Sequence, residues 1–360
     1  RDVERSRGLG DVYKRQAVRY LKENAENINT IVDGLCEQSQ AMISSEDGIT
    51  FDNFNGKKQI IPPVTDLEIG HPYECRDPKV WRENGRYFMC IASSYKKEEG
   101  VLLIYTSDDG ENWTYLNRLQ DKQFGTVLEC PDVFCIDGQH ILIASPIGVL
   151  KDTDYPGNQS TMQKLSFDAG DGSMALESEA QFLDYGMDLY APQSCIDEAG
   201  RRCVIAWVRM PIPQSPDDNE AADGRPWSGM MSLPRVVTLR GGEIYTSVHP
   251  NVRKYFDENS CLEITEKYRR WIKDGRSRTV LTLREGQSVE LAGVMIELNG
   301  GCVCTDRTKR VPQGVDVHVK CCTPGVGDVC ELEVYEEKNL IEIFVNDGQY
   351  VISNVLYPCR

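Results

Sequence analysis

Pro78-Lys79-Val80-Trp81-Arg82-Glu83-Asn84-Gly85-Arg86-Tyr87-Phe88-Met89-Cys90-Ile91-Ala92 reads as strand, turn at glycine, strand, with a proline heading the first strand where no ladder donor is needed. The same grammar recurs downstream. Pro131 and Gly138 precede Ile141-Leu142-Ile143-Ala144, and Pro192 and Gly200 precede Cys203-Val204-Ile205-Ala206-Trp207. The proline-to-glycine spacing is seven, seven and eight residues. A unit of several strands repeating every ~50–60 residues is what propeller blades look like, whereas a β-sandwich supplies short strands without this register of proline and glycine. A second repeat supports the first: Ser45-Glu46-Asp47-Gly48-Ile49-Thr50-Phe51 returns as Ser107-Asp108-Asp109-Gly110-Glu111-Asn112-Trp113.

Outward from these repeats the texture changes. Residues 17–40 look weakly helical or loop-like, and Arg1–Gln16 shows neither period and no apolar signal-peptide core. Beyond residue 250, Ser288-Val289-Glu290-Leu291 and Asn339-Leu340-Ile341-Glu342-Ile343-Phe344-Val345 alternate with turn residues, and Asn346-Asp347-Gly348 marks a hairpin. The expectation is an all-β chain: a non-native leader over 1–16, a partial propeller over 17–245 and a β-sandwich over 246–360. Its 360 residues suit about two domains.

Composition narrows the partners. Forty Lys and Arg against 56 Asp and Glu give a net charge of -16, which repels phosphate backbones and anionic lipid. Nucleic-acid and membrane roles are therefore disfavoured, and no apolar run approaches the ~18 residues of a spanning helix. Four histidines and the absence of any Cys-x-x-Cys argue against a metal site, and no cofactor is expected. The 14 cysteines sit largely in apolar runs, which predicts reduced, structural thiols. A small, neutral, water-soluble ligand is the expected partner. Visible export signals are lacking, in keeping with a cytoplasmic setting, and nothing speaks to oligomeric state.

If each repeat's first strand lines one channel, the residues before the prolines meet at one rim. They are Arg76-Asp77, Glu129-Cys130 and Tyr190-Ala191. Two carboxylates facing one cleft suit glycoside hydrolysis, one as acid and the other stabilising a cationic sugar centre. Glu129, flanked by Leu128, Cys130 and Pro131, is the better acid, because burial favours the protonated form. Asp77, beside Arg76, should stay ionised. The plain alternative is a structural Arg76–Asp77 ion pair with Glu129 ending a strand.

Glu74-Cys75-Arg76-Asp77-Pro78-Lys79 resembles the Arg-Asp-Pro signature of the family-32 glycoside hydrolases, the invertase, levanase and inulinase group. Glu129-Cys130-Pro131-Asp132, Tyr190-Ala191-Pro192-Gln193, Ala206-Trp207, and Trp227-Ser228-Gly229 with Leu233-Pro234-Arg235 resemble further motifs of that family, in its order. The resemblance implies a five-bladed propeller and a sandwich that hydrolyse terminal β-fructofuranosides, such as sucrose or fructans, with retention. It also implies Glu129 as general acid/base, Asp77 as transition-state stabiliser, and Arg76, Cys130, Tyr190 and Trp207 as the fructosyl pocket. The plainer alternative makes Trp207 and Tyr190 core aromatics and Cys130 a small buried neighbour. The family's nucleophile, an aspartate in an Asn-Asp-Pro-Asn type motif, has no counterpart in these 360 residues. The expectation is thus an inactive fragment lacking the first blade and part of the second, in which any activity would point to a recruited nucleophile such as Asp188. The alternatives are a non-catalytic sucrose- or fructan-binding relative and another five-bladed glycosidase or transferase. Sucrose, sucrose 6-phosphate, inulin and levan are not separated by these residues, although the acidic loop Pro211–Pro226 weighs mildly against a phosphorylated sugar.

Overall fold

The computed structural model describes residues 12–20, 22–23, 29–30, 36–52, 56–149, 158–212, 227–265, 267–315 and 317–357. Contacts divide the chain into two units, one of Arg1–Lys151, Ser160–Gln181 and Gln193–Gly200, the other of Asp152–Gln159, Phe182–Pro192 and Arg201–Arg360.

In the first unit, β1 (Val12–Tyr20) runs antiparallel to β4 (Cys36–Ser44), with β5 (Lys58–Ile61) on the far side of β4, while β2 (Lys22–Glu23) and β3 (Asn29–Thr30) pair with each other as a separate two-stranded ladder. Val12–Gln16, expected to be aperiodic, and much of 17–40, expected to be loop or weak helix, are therefore strand. Their partner is a remote ladder, Val12 opposite Ser44 through Tyr20 opposite Cys36, which local periodicity does not reveal. Next come two four-stranded meanders: β6 (Cys75–Glu83), β7 (Arg86–Tyr95), β8 (Glu99–Ser107) and β9 (Thr114–Gln120), then β10 (Leu128–Ile136), β11 (Gln139–Pro146), β12 (Thr161–Phe167) and β13 (Met174–Leu176), with β14 (Gln181–Phe182) also on β12. Asn84-Gly85 and Asp137-Gly138 make the inner hairpins with positive φ at both residues, the conformation a two-residue turn between right-twisted strands requires.

The β6–β9 sheet is covered on both faces. Phe88, Cys90, Leu102 and Ile104 pack against Leu128, Val133, Leu142 and Ala144, while Met89, Ile91, Val101 and Leu103 pack against Met42, Ile60 and Ile61. That is why Phe88–Ala92 reads as an unbroken apolar run and does not alternate. The Asp47 and Asp109 turns are closed alike: each carboxylate accepts two backbone amides and the side chain of Thr50 or Asn112, and takes a serine hydroxyl from Ser45 or Ser107. These bonds hold both carboxyls well below their ordinary pKa.

The prolines lie inside their strands, not at the starts. Asp77-Pro78 faces one residue of β7 and Cys130-Pro131 one residue of β11, so each first strand bulges there. A bulge absorbs the missing N–H that would otherwise break the ladder. Asp77, Cys130 and Ala191, each directly before its proline, have φ of 58°, 51° and 51°.

A further sheet is formed by β15 (Leu189–Ile196), whose residues from Gln193 on belong to the first unit, with β16 (Arg202–Val208), β18 (Arg235–Arg240) and β19 (Glu243–Val248) of the second, and β17 (Met230–Met231) also on β16. Helix α1 (Pro250–Asn259) follows. A six-stranded sheet then contains β20 (Cys261–Ile264), β21 (Tyr268–Lys273), β22 (Arg276–Arg284), β27 (Val329–Glu336), β28 (Leu340–Val345) and β29 (Tyr350–Val355). A four-stranded one contains β23 (Ser288–Leu291), β24 (Val294–Asn299), β25 (Cys302–Asp306) and β26 (Lys320–Gly325), and inward-facing Leu281, Leu283, Ile343, Ile296, Leu298 and Val303 share one core. Among the described residues no helix is long and apolar enough to cross a membrane. Cys75, Cys90, Cys203, Cys321 and Cys330 are buried thiols as expected, but Cys304 and Cys322, directly opposite across β25 and β26, form a disulfide.

Glu333 on β27 provides a pH test. Burial favours its neutral form, but Arg253, Arg278 and the Tyr335 hydroxyl all donate to it, and its pKa is lowered from 4.5. A depressed carboxyl stabilises the fold above its unfolded pKa and loses that contribution as pH falls through the folded value. Thermal melts taken from about pH 6 to 3 should fall most steeply below 4.5, and Glu333→Gln should flatten that limb while lowering the plateau above it. An unchanged limb would exclude Glu333 as its source.

Candidate active site

The two bulges of the first unit bring Arg76, Asp77, Glu129 and Cys130 together. Arg76 donates from Nε (3.1 Å) and Nη2 (2.9 Å) to Glu129 Oε1, and from Nη1 to Glu74. Burial works against the Arg76 charge, but Glu74 and Glu129 outweigh it, and its pKa is raised. The Arg76–Asp77 ion pair of the plain alternative is thus not formed, and Arg76 pairs with Glu129. A bulge lets sequence neighbours diverge, so the guanidinium reaches across to the next repeat's first strand.

Asp77 is held by the other neighbour. Its Oδ2 accepts the Cys130 backbone amide at 3.0 Å and the Cys130 thiol at 3.6 Å. Burial, then the nearby Asp77 and Glu129 charges, push the Cys130 thiol far above its ordinary pKa, so it remains a donor. Cys130 therefore does more than fill space: it orients Asp77 from the residue adjoining Glu129.

Three residues that spacing did not single out tie these strands together. Lys79 Nζ lies 2.9 Å from Asp132 Oδ2 and donates to the Ser194 carbonyl at 2.6 Å, while the Ser194 amide donates to Asp132 Oδ2 at 2.7 Å. Asp132 is fully buried. Each follows closely on one of the repeat prolines, a register visible in the sequence once that proline is recognised as a bulge.

Tyr190 and Trp207 belong to the second unit. Tyr190 is buried, with the Arg209 guanidinium 4.7 Å from its ring centroid. Trp207 is 42% exposed and is no core residue. It pairs with Met231, and a Cβ on Gly229 would stand 2.2 Å from its Nε1, so only glycine lets β17 lie this close. Trp207 lines a cavity of about 550 Å³ with Asp188, Arg209, Ser228, Arg307 and His318. Asp188 is not available as a nucleophile: it is buried, paired with both Arg307 amino groups, and accepts the Val355 amide at 2.9 Å. Most of the acidic loop expected at Pro211–Pro226 lies outside the described residues.

Residues 21–249, well over half the chain, match the model of the glycosyl hydrolases family 32 N-terminal domain. Sucrose-6-phosphate hydrolase of Vibrio alginolyticus is 34% identical over 204 residues, which are 53% of this chain and 41% of that protein. The Bacillus subtilis sucrose-6-phosphate hydrolase is 27% identical over 347 residues, 91% of this chain and 69% of its own length. Across the curated relatives the chain thus spans between two fifths and about two thirds of their length. A solved family-32 β-fructofuranosidase from Bombyx mori superposes with a TM-score of 0.72 at 21% identity, covering 96% of this chain and 71% of that one. The all-β fold expected from the repeats, a propeller domain with a β-sandwich, is the one these neighbours have. By its sequence and its fold, the chain belongs to glycoside hydrolase family 32.

Proposed function

We propose that this chain supplies the acid side of a β-fructofuranosidase site acting on a small sugar, sucrose or a related β-fructoside. Glu129 gives its proton to the leaving-group oxygen, and Asp77 grips fructosyl hydroxyls as charge develops at the anomeric centre. The observation that carries this reading is the shared anchoring of the two carboxylates. Arg76 holds Glu129, and Cys130 holds Asp77, so neither moves without the other.

Retention needs a second carboxylate about 5 Å from the acid, on the opposite face of the ring. The Asn-Asp-Pro motif that supplies it in the family is not among these 360 residues, and Asp188 is committed to Arg307. Purified 1–360 is therefore expected to bind sucrose by calorimetry and to release no fructose from it above background. Fructose release that disappears with Glu129→Gln would overturn the missing-nucleophile part. Absence of any fructoside binding would overturn the site itself.

A further inference from the structure

Lys79, Asp132 and Gln193 each stand directly after a repeat proline, Pro78, Pro131 and Pro192. Three repeats thus put a cation, an anion and an amide at one register, all within the first unit. An ammonium has three donors, and Lys79 has three partners here. Its Nζ lies 2.9 Å from Asp132 Oδ2 and donates to the Ser194 carbonyl at 2.6 Å and to Gln193 Oε1 at 3.3 Å. Gln193 passes the link on, its Nε2 donating to the Cys130 carbonyl at 3.4 Å. The Cys130 amide in turn donates to Asp77 Oδ2 at 3.0 Å, and Asp77 leads through Pro78 back to Lys79. The contacts close a circuit that takes in both bulges.

Stability alone does not account for this circuit. Asp132 is fully buried, and its Oδ1 has no hydrogen-bond partner among the described residues. A buried ion pair that is incompletely matched stabilises a fold no better than apolar packing of similar volume. What the circuit does supply is constraint. Asp77 and Cys130 carry side chains at positive φ, a conformation that persists only where its surroundings over-determine it. Ladders tie β6 to β7 and β10 to β11, but β6 and β10 lie in separate sheets. The spacing between the two bulges therefore rests on side chains.

We propose that Lys79 and Gln193 are positioning residues of the acid site: through this circuit they fix the separation of Glu129 and Asp77 at which a fructosyl group is gripped. The inference deepens the fructoside reading above and rests on it for the ligand, though not for the geometry. Removing Lys79 also strands the Asp132 charge, whereas Gln193 is exposed and can be removed at little cost to the fold.

Alkylation of Cys130 by iodoacetamide at fixed pH, followed by mass spectrometry of its peptide, reports the circuit without any sugar. In the 1–360 protein this thiol donates to Asp77, which slows its reaction. Gln193→Ala should speed the alkylation about 3- to 10-fold and weaken sucrose binding by a similar factor in calorimetry, with the melting curve unmoved. Lys79→Met should change both by about 10- to 100-fold and also lower the melting temperature. Adding Asp132→Asn to Lys79→Met removes the stranded charge, so it should restore the melting temperature but neither the alkylation rate nor the affinity. Exposed Cys261 of the second unit is the internal standard and should react alike in every variant. Should Lys79→Met fail to fold, Gln193→Ala and the double variant decide the matter. Unchanged Cys130 alkylation in both would overturn the proposal. So would rates and affinities that recover together with the melting temperature, since that marks a pair serving the fold alone. Faster alkylation with sucrose affinity unmoved would show that the ligand does not depend on this spacing, and overturns it too. A protein whose Cys130 responds as expected but which binds no sucrose supports the circuit as the brace of the two carboxylates and overturns the fructoside reading alone.

Discussion

Arg235→Met is expected to destabilise the second unit by about 3–5 kcal/mol, enough to unfold many domains of ordinary stability. Arg235 is 1% exposed, and its Nη2 alone meets Asp184 Oδ2 at 2.6 Å, Glu342 Oε1 at 2.8 Å and Ser353 Oγ at 2.8 Å. Methionine would fill much of the volume, yet leave two buried carboxylates facing each other. Glu342 already has its pKa raised, because burial outweighs the Arg235 charge even with the partner in place. The local packing offers no escape: a Cβ on Gly186 would lie 1.8 Å from the Ser353 carbonyl oxygen, so the chain around Asp184 cannot shift. Denaturant melts of Arg235→Met, and of the same variant with Asp184→Asn and Glu342→Gln, separate the causes. Recovery of most of the loss in the triple variant is expected, since the cost lies in stranded charge more than in the lost bonds. A loss below about 1 kcal/mol for the single variant would mean that water reaches the network.

In a longer chain that also carries the Asn-Asp-Pro segment, Glu129→Gln should slow sucrose hydrolysis by roughly 10²–10⁴-fold, the range for a general acid. Glutamine keeps an acceptor for Arg76 but has no proton to give. A fructoside whose leaving group departs unprotonated, such as a nitrophenyl fructoside, should lose far less in formation of the fructosyl-enzyme. Equal losses on both substrates would mean that Glu129 serves binding, through Arg76, and not proton transfer.

The repeats made much of this fold readable. Strand, turn and strand around Gly85 and Gly138 follow from residues a few positions apart, and so does the hairpin at Asn346-Asp347-Gly348, where Asn346 and Asp347 both have positive φ. The rim residues Arg76, Asp77, Glu129 and Cys130 were legible because a proline marks each one's strand. What stayed hidden depends on partners remote in sequence. Arg76 chooses Glu129 over its own neighbour Asp77, β1 finds β4, and Cys304 meets Cys322 only after two strands pair in register.

The dipeptide ahead of each repeat proline differs completely: Arg-Asp, Glu-Cys, Tyr-Ala. Yet Asp77, Cys130 and Ala191 share one positive backbone angle, although such a conformation costs a side-chain-bearing residue about 1–3 kcal/mol. Acid, thiol and methyl have nothing in common that would select it, so the geometry belongs to the strand and the proline behind it. The bulge is therefore a socket with interchangeable contents. A lineage built on it can exchange chemistry two residues at a time without renegotiating the ladder, and a designer could transplant an acid from one blade to another by swapping the pair alone.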